Sequence, residues 1–536
     1  MWARNLLYLG LVGCGILFLG ANLFPPALPG RTMAFDPAAE EGAVFRATVK
    51  QVNMAFRRQW IRHGLRPAPK ASQLAIARRL SLALMGTIPS LQEIRQIEAQ
   101  PKGQCIAWYL AGIFQDRRYA DYFAERLARA FVGTEDGPFL IFRRRRLVAW
   151  LSDELHANRP YDQIVRELIG ANGLWTDQPA TNFLTVTSDA NKNNQPNPNR
   201  LASRVTRAFL GIRLDCAQCH NHPFEPRWKQ TTFQGLAAFF GQTRLGLTGI
   251  HDEEAEYAIE NRKTGKPEVI KPGVPFHSEL LPPDGSRRQR LAHWITHPNN
   301  PYFARATVNR VWALLFGRPL VDPVDDLAEA ADVKVLTLLA ADFAGHNYDL
   351  RRLIRVIVAS DVFQRDSAAG HGITEEYETY GAVFPLTLLR PNQVVGSVLQ
   401  AASLETINQQ SHIVVKILRS LREKEFVKRY GDTGEDEFAG RGETIPQRLL
   451  LMNGNLVKET TRKSLFNAAT RIGWLAPDDR RAVEIAYLVL LTRRPTPREM
   501  EHFRRRLAGA HGAEGSQRME DLFWVLINST EFSWNH

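Results

Sequence analysis

The chain carries only four cysteines, Cys14, Cys105, Cys216 and Cys219, and two of them stand in Cys216-Ala-Gln-Cys219-His220. With 14 histidines in 536 residues, chance would produce this pattern on the order of once in a thousand such chains. The order of residues is that of c-type haem attachment. Two thiols about one helical turn apart can each bond a vinyl group on one edge of the porphyrin, and the adjacent imidazole of His220 can ligate the iron. His222 leaves the same side as His220, so the opposite axial position would fall to another residue. His251, His277 and Met452 are candidates, and nothing in the sequence selects among them. Haem c is therefore the leading expectation, with two structural alternatives open. Cys216, Cys219 and either His220 or His222 are three plausible zinc ligands, with a fourth from elsewhere. The two cysteines could also close a tight disulfide.

A second polar constellation comprises Arg310, Arg318, Asp322, Asp325 and Asp326. Clustered carboxylates can bind a hard cation or act as acid and base. The arginines among them make ion pairing and helix capping the plainer reading. An extracellular hydrolase is the third functional alternative and rests on these aspartates alone. No nucleophile elbow, phosphate-binding loop or His-Glu-x-x-His motif supports one, so no catalytic residue is assigned and enzymatic activity stays open.

The elements that must position these residues read as mainly α. Val49, Val52, Phe56 and Trp60 recur at three- and four-residue intervals and make one apolar face. Ser90 with Glu93, and Thr496-Pro497-Arg498-Glu499, have the form of capping boxes. Further helices are expected over 147–155, 201–214, 308–316, 333–343, 350–358 and 519–527. The strand signal is Glu256-Tyr-Ala-Ile-Glu260 and Lys266-Pro-Glu-Val-Ile270, a small hairpin with Gly265 in its turn and Pro267 confining it to an edge. Pro272, Pro275, Pro282, Pro283 and Gly285 then suggest an exposed linker.

At the N-terminus, Leu6 to Phe24 is 19 residues without a charge, preceded by Arg4 and ended by Pro25-Pro26. That length can span a bilayer. The positive-inside rule puts the N-terminus in the cytoplasm and exports the rest to the periplasm. No Ala-x-Ala site follows, which favours a retained single-pass anchor over a cleaved signal peptide. Leu11-Val-Gly-Cys14 resembles a lipoprotein box, but the residues after it stay apolar.

The net charge of +12 is unevenly placed. Residues 1–150 hold 21 basic and 10 acidic side chains, the remainder 47 and 46. Arg57-Arg58, Arg78-Arg79 and Arg143 to Arg146 read as solvated helix faces, or as attraction to anionic lipid or an acidic partner. No nucleic-acid-binding motif accompanies them, so no nucleic-acid partner is expected. The partners expected are the membrane, through residues 6–24, and an unknown redox or protein partner.

Leu201-Ala-Ser-Arg-Val-Thr-Arg-Ala-Phe-Leu-Gly-Ile-Arg-Leu-Asp-Cys-Ala-Gln-Cys-His-Asn-His-Pro-Phe224, with Trp228 and Gly235-Leu-Ala-Ala-Phe-Phe240, resembles the planctomycete cytochrome c-like domain of unknown function. Asn300-Pro-Tyr-Phe-Ala-Arg-Ala-Thr-Val-Asn-Arg-Val-Trp312, Phe316 to Asp326 and Leu451-Met-Asn-Gly-Asn455 resemble the second planctomycete domain that usually follows it. The resemblance implies export and haem-attachment roles for Cys216, Cys219 and His220, with no assigned activity. The expected organisation is a signal-anchor at 1–30, a linker at 31–47, a cytochrome c-like domain at 48–245, a hairpin and linker at 246–285, and a second helical domain at 286–536.

Overall fold

The computed structural model describes residues 42–536 apart from 135–141, 190–193, 222–224, 226–227, 261–264, 328–332, 409–424, 432–433, 435–436, 439–443, 463, 465–466 and 511. The protein is mainly helical over these residues, with four two-stranded antiparallel sheets among them. No helix of the described residues is long and apolar enough to cross a membrane. The anchor expected at residues 6–24 and most of the 31–47 linker lie outside the described residues.

The helix Ala43–Arg62 buries Phe45, Val52, Phe56 and Trp60, the face its spacing indicated. The capping boxes form as read. Ser90 N donates to Glu93 Oε2 at 2.8 Å and Glu93 N to Ser90 Oγ at 3.0 Å. Thr496 and Glu499 do the same at 2.7 and 3.3 Å, with Pro497 in the first helical position. Each device satisfies amides that have no partner within their own helix.

Two apolar cores result. The larger joins side chains from Phe45 to Phe384, so residues on both sides of the 246–285 segment share it. The smaller gathers residues from Leu389 to Phe532 around Leu82, Ile88, Leu91 and Ile94. Two neighbouring arginines tie these parts together. Arg78 donates to the Leu490 carbonyl at 3.1 Å and the Phe532 carbonyl at 3.2 Å. Arg79 donates to the carbonyls of Phe363, Arg365 and His536 at 2.7–2.9 Å and stacks on Phe384. The strand Trp534–Asn535 pairs with Thr387–Leu388 and brings the C-terminal residues back to this junction.

These arginines correct the solvated-face reading. Arg78, Arg79 and Arg144 are buried, because backbone carbonyls and, for Arg144, the half-buried carboxylate of Glu125 satisfy their guanidinium groups within the fold. Arg144 forks onto both oxygens of Glu125 at 2.9 and 3.0 Å. Arg57, Arg58, Arg145 and Arg146 remain exposed.

The hairpin pairs Ala258–Glu260 with Pro267–Val269, and Glu260 opposes Pro267. A second hairpin, Thr243–Gly246 with Gly249–Asp252, precedes it and was not evident from the sequence. The segment after the hairpin is not a free linker. Phe276 packs its ring against Trp228, Trp294 and Tyr302 at centroid separations of 6.4, 4.8 and 5.1 Å. Trp294 Nε1 donates to the Phe276 carbonyl at 3.1 Å. Gly235 lets this segment approach, since a Cβ there would lie 3.0 Å from the Gly273 carbonyl oxygen. Proline density marked irregular backbone, and aromatic burial then decided where that backbone lies.

Candidate functional site

The Cys216–His220 turn follows a helix that stops abruptly. Pro198–Val205 starts on Asn197, whose Oδ1 accepts from the amides of Asn199 and Arg200. At Thr206–Leu210 the backbone widens into a π turn, so the single helix expected over 201–214 does not form. Gly211 ends it with φ at +60°, a left-handed conformation that favours glycine. Its carbonyl accepts from Leu327 N at 2.6 Å, and a Cβ would lie 3.1–3.2 Å from Leu327 and Ala306.

Beyond Gly211, Ile212 and Leu214 are buried and a 3₁₀ turn runs from Asp215 to Gln218. Three residues per turn put positions i and i+3 on one side. Cys216 and Cys219 accordingly both face solvent, while Ala217 between them is buried. Both thiols are free. The turn is pinned through its backbone. Gln230, at the start of Gln230–Ala238, donates from Nε2 to the carbonyls of Gln218 and Cys219, each at 3.1 Å. Its own amide donates to Asn221 Oδ1 at 3.0 Å. Trp228, just before that helix, is buried.

His220 is exposed, and its Nδ1 lies 2.7 Å from the Asn221 carbonyl oxygen. A carbonyl only accepts, so Nδ1 carries a proton, and in the neutral ring Nε2 keeps the lone pair. Metal-binding histidines are commonly held this way, one ring nitrogen donating to a carbonyl and the other ligating. The donor set of two exposed thiols and an Nε2 lone pair fits c-type haem attachment. His222, Pro223 and Phe224 lie outside the described residues. Among the described residues, no three His, Cys, Asp or Glu side chains gather as ligands of one metal ion.

The candidates for the opposite axial position are differently engaged. His251 Nδ1 donates to the Gly249 carbonyl at 3.1 Å and Nε2 to Glu253 Oε1 at 3.0 Å. The Glu253 hydrogen bond, with that of the carbonyl, raises its pKa and favours imidazolium. His277 Nδ1 pairs with Glu279 at 2.8 Å. Met452 belongs to Ile445–Asn453, and its carbonyl accepts from Trp524 Nε1 at 3.1 Å.

The second constellation separates into different contacts, one of which reaches the motif. Asp325 is 5% exposed and receives Arg213 Nε and Nη2 at 2.9 and 2.6 Å, together with Arg207 Nε. Burial pushes its carboxyl up, but hydrogen bonds from Arg207 and Arg213 outweigh this and hold it below the usual range. Arg318 pairs with Glu378 at 3.3 Å instead. Arg310 is an intermediate-exposure helix residue whose guanidinium pKa is lowered by burial. Asp322 is exposed and Asp326 half-buried. Buried Asn309 fixes the loop carrying them, donating to the Val321 carbonyl at 2.8 Å and accepting from Val321 N at 3.0 Å. For Asp325 the ion-pair reading holds.

Gln230, Gly211, Arg207 and Arg213 were not singled out individually as site residues from the sequence. Gly211 carried the one usable signal, a glycine closing an amphipathic helix just before the motif.

Residues 51–245 match the family model PSCyt2, described as a protein of unknown function (DUF1549). Residues 287–507 match PSD1, likewise described as a protein of unknown function (DUF1553). No curated protein and no solved structure matches the chain.

Proposed function

The chain belongs to the PSCyt2 family over residues 51–245 and to the PSD1 family over residues 287–507, and from that premise we propose that it is an exported c-type cytochrome-like protein that takes part in electron transfer. Its haem is attached through Cys216 and Cys219, with His220 as an iron ligand. Residues 6–24 anchor it in the cell membrane with the N-terminus in the cytoplasm and the body in the periplasm, where c-type attachment takes place.

One observation carries the reading: the turn is held by atoms that the motif does not use. Gln230 binds its carbonyls, Ala217 fills the core beneath it, and Asp325 braces Arg213 three residues before Cys216. A zinc or disulfide staple at Cys216–His222 would hold what is already held. The two thiols and the His220 Nε2 lone pair are left pointing outward, available to a group from outside the chain. A haem bound there supplies one-electron redox chemistry at the protein surface. The chain's own part is positional: Cys216 and Cys219 fix the edge of the group, His220 presents Nε2, and the Asn221 carbonyl fixes the tautomer. Asp325 acts as an ion-pair brace in this account, and no hydrolysis is assigned to the aspartates.

The test is expression with export and cytochrome c maturation machinery, followed by haem staining of denatured protein. The wild-type chain stains and the Cys216→Ser, Cys219→Ser double variant does not. An unstained wild-type chain holding zinc would support the alternative of a non-haem scaffold with a metal staple.

A further inference from the structure

A second site lies away from the cysteine turn. The helices Ala43–Arg62, Cys105–Gln115 and Leu350–Ala359 enclose a cavity of about 480 Å³ between them. That volume suits a small ligand or one chain of a larger one. Val49, Ile106, Leu110 and Val358 give it an apolar floor. Five cations also line it, Arg46, Lys50, Arg57, Lys70 and Arg355, and no carboxylate does so among the described residues. Arg57 is paired with Asp361 at 2.8 Å, and Lys70 Nζ donates to Gln364 Oε1 at 3.4 Å.

The helix supplying the largest share of the lining has the composition of a membrane-surface element. Ala43–Arg62 contains five basic residues and no acidic one. It leaves Val44, Met54 and Ile61 exposed, beside arginines at 46, 57, 58 and 62. Exposed apolar side chains interleaved with cations are what a helix needs to lie against an anionic bilayer surface. Phe45 follows Phe24 by 21 residues, a span of at most about 75 Å when extended, so the cavity is within reach of a membrane entered at residue 24.

The geometry points to a site for one anionic membrane phospholipid, its phosphate among Lys50, Arg57 and Lys70 and an acyl chain over Val49, Ile106 and Leu110. The occupant's chemistry follows from the lining: the floor suits an apolar chain, and five lining cations against the one carboxylate of Asp361, which pairs with Arg57 from outside the lining, suit an anionic head. This site goes beyond the haem reading and does not depend on what Cys216 holds, but its nearness to lipid rests on the membrane anchor proposed for residues 6–24.

The full chain, purified in nonionic detergent, is offered phosphatidylglycerol and phosphatidylcholine in equal amounts, and retained lipid is counted by native mass spectrometry. One phosphatidylglycerol per chain is expected, retained at least ten-fold over phosphatidylcholine. Two variants separate this site from lipid held by the anchor. Lys50→Gln with Lys70→Gln removes two exposed cations and leaves the core untouched, and Ala107→Trp fills the cavity. Each is expected to lower retention at least ten-fold. Equal retention of the two lipids would overturn the assignment. So would phosphatidylglycerol retention that survives the Lys50/Lys70 variant, or recovery of an acidic protein in place of lipid.

Discussion

Arg213 and Asp325 face each other across 112 residues of chain, and two nitrogens of the guanidinium meet one carboxylate oxygen at 2.9 and 2.6 Å. The contact joins a loop of the PSD1 half to the residue three positions before Cys216. The cysteine turn is thus positioned by both halves of the protein.

Asp325→Asn should loosen that turn. The substitution leaves Arg207 and Arg213 without their shared anion, and hydrogen bonds between charged groups contribute about 1.5–3 kcal/mol each. Both arginines are more than a third exposed, which discounts this to a net loss of about 1–2 kcal/mol. Urea unfolding of the full chain measures it. The Asp325 pKa is lowered in the fold, so its contribution is complete above the ordinary carboxylate range and fades as pH falls through the folded value. The gap between wild type and variant should therefore be present at neutral pH and close in acid.

The thiols should divide by burial. In a Cys14→Ser background without an attached group, Cys216 and Cys219 are expected to react rapidly with a thiol reagent. Cys105 is buried, and burial raises its thiol pKa, so it should react only on unfolding. A fast count of two before denaturant and three after it is the expected result. Slow reaction of Cys216 and Cys219 would mean that the turn is covered.

Gln230→Ala should release the carbonyls of Gln218 and Cys219 without touching a thiol. The expected stability loss is about 1–2 kcal/mol for two neutral hydrogen bonds. Hydrogen exchange at Cys219, His220 and Asn221 should quicken, while exchange in Arg117–Val132 stays unchanged. Uniform quickening of both segments would indicate a global effect and contradict the local role.

Arg78→Ala should weaken the attachment of the C-terminal core. It leaves the buried carbonyls of Leu490 and Phe532 without their donor, at a cost of about 2–4 kcal/mol. Thermal unfolding followed by calorimetry should show the second core melting earlier. Arg58→Ala, at an exposed position of the first helix, should change little.

Glu499→Gln keeps a residue able to cap Thr496 and tests the ion pair of Glu499 with Arg493 by pH. Hydrogen bonds from Arg493, with those at Thr496, hold the Glu499 carboxyl down to about 2. Its ionised form is favoured by folding, so its contribution is complete above the ordinary value of 4.5 and is lost as pH falls to about 2. A destabilisation of about 0.5–1 kcal/mol at pH near 7, the range of a partly exposed ion pair, should vanish at the acid end, as read from urea midpoints.

The features legible in the sequence were the local ones. Ser90 with Glu93 and Thr496 with Glu499 are three residues apart, and so is the thiol pair, so spacing alone specified their geometry. The burial of Arg78 and Arg79 is not legible in the sequence because their partners are remote. Arg78 reaches an acceptor 412 residues away and Arg79 one 457 residues away, and a basic doublet on a helix carries no sign of that. Asp325 had Arg310 and Arg318 nearby in sequence, yet it binds Arg207 and Arg213, which the π turn and Gly211 bring to it. The proline-rich segment after the hairpin was expected to be exposed. Phe276 covers Trp228 instead, a choice made by aromatic burial that proline density cannot show.

The most direct test of the central claim is the intact mass of the exported, denatured chain after expression with c-type maturation machinery. The account predicts a mass increased by one haem, with the adduct on the peptide bearing Cys216 and Cys219 and absent from the double serine variant. An unmodified mass, with stoichiometric zinc in the native protein, would contradict it.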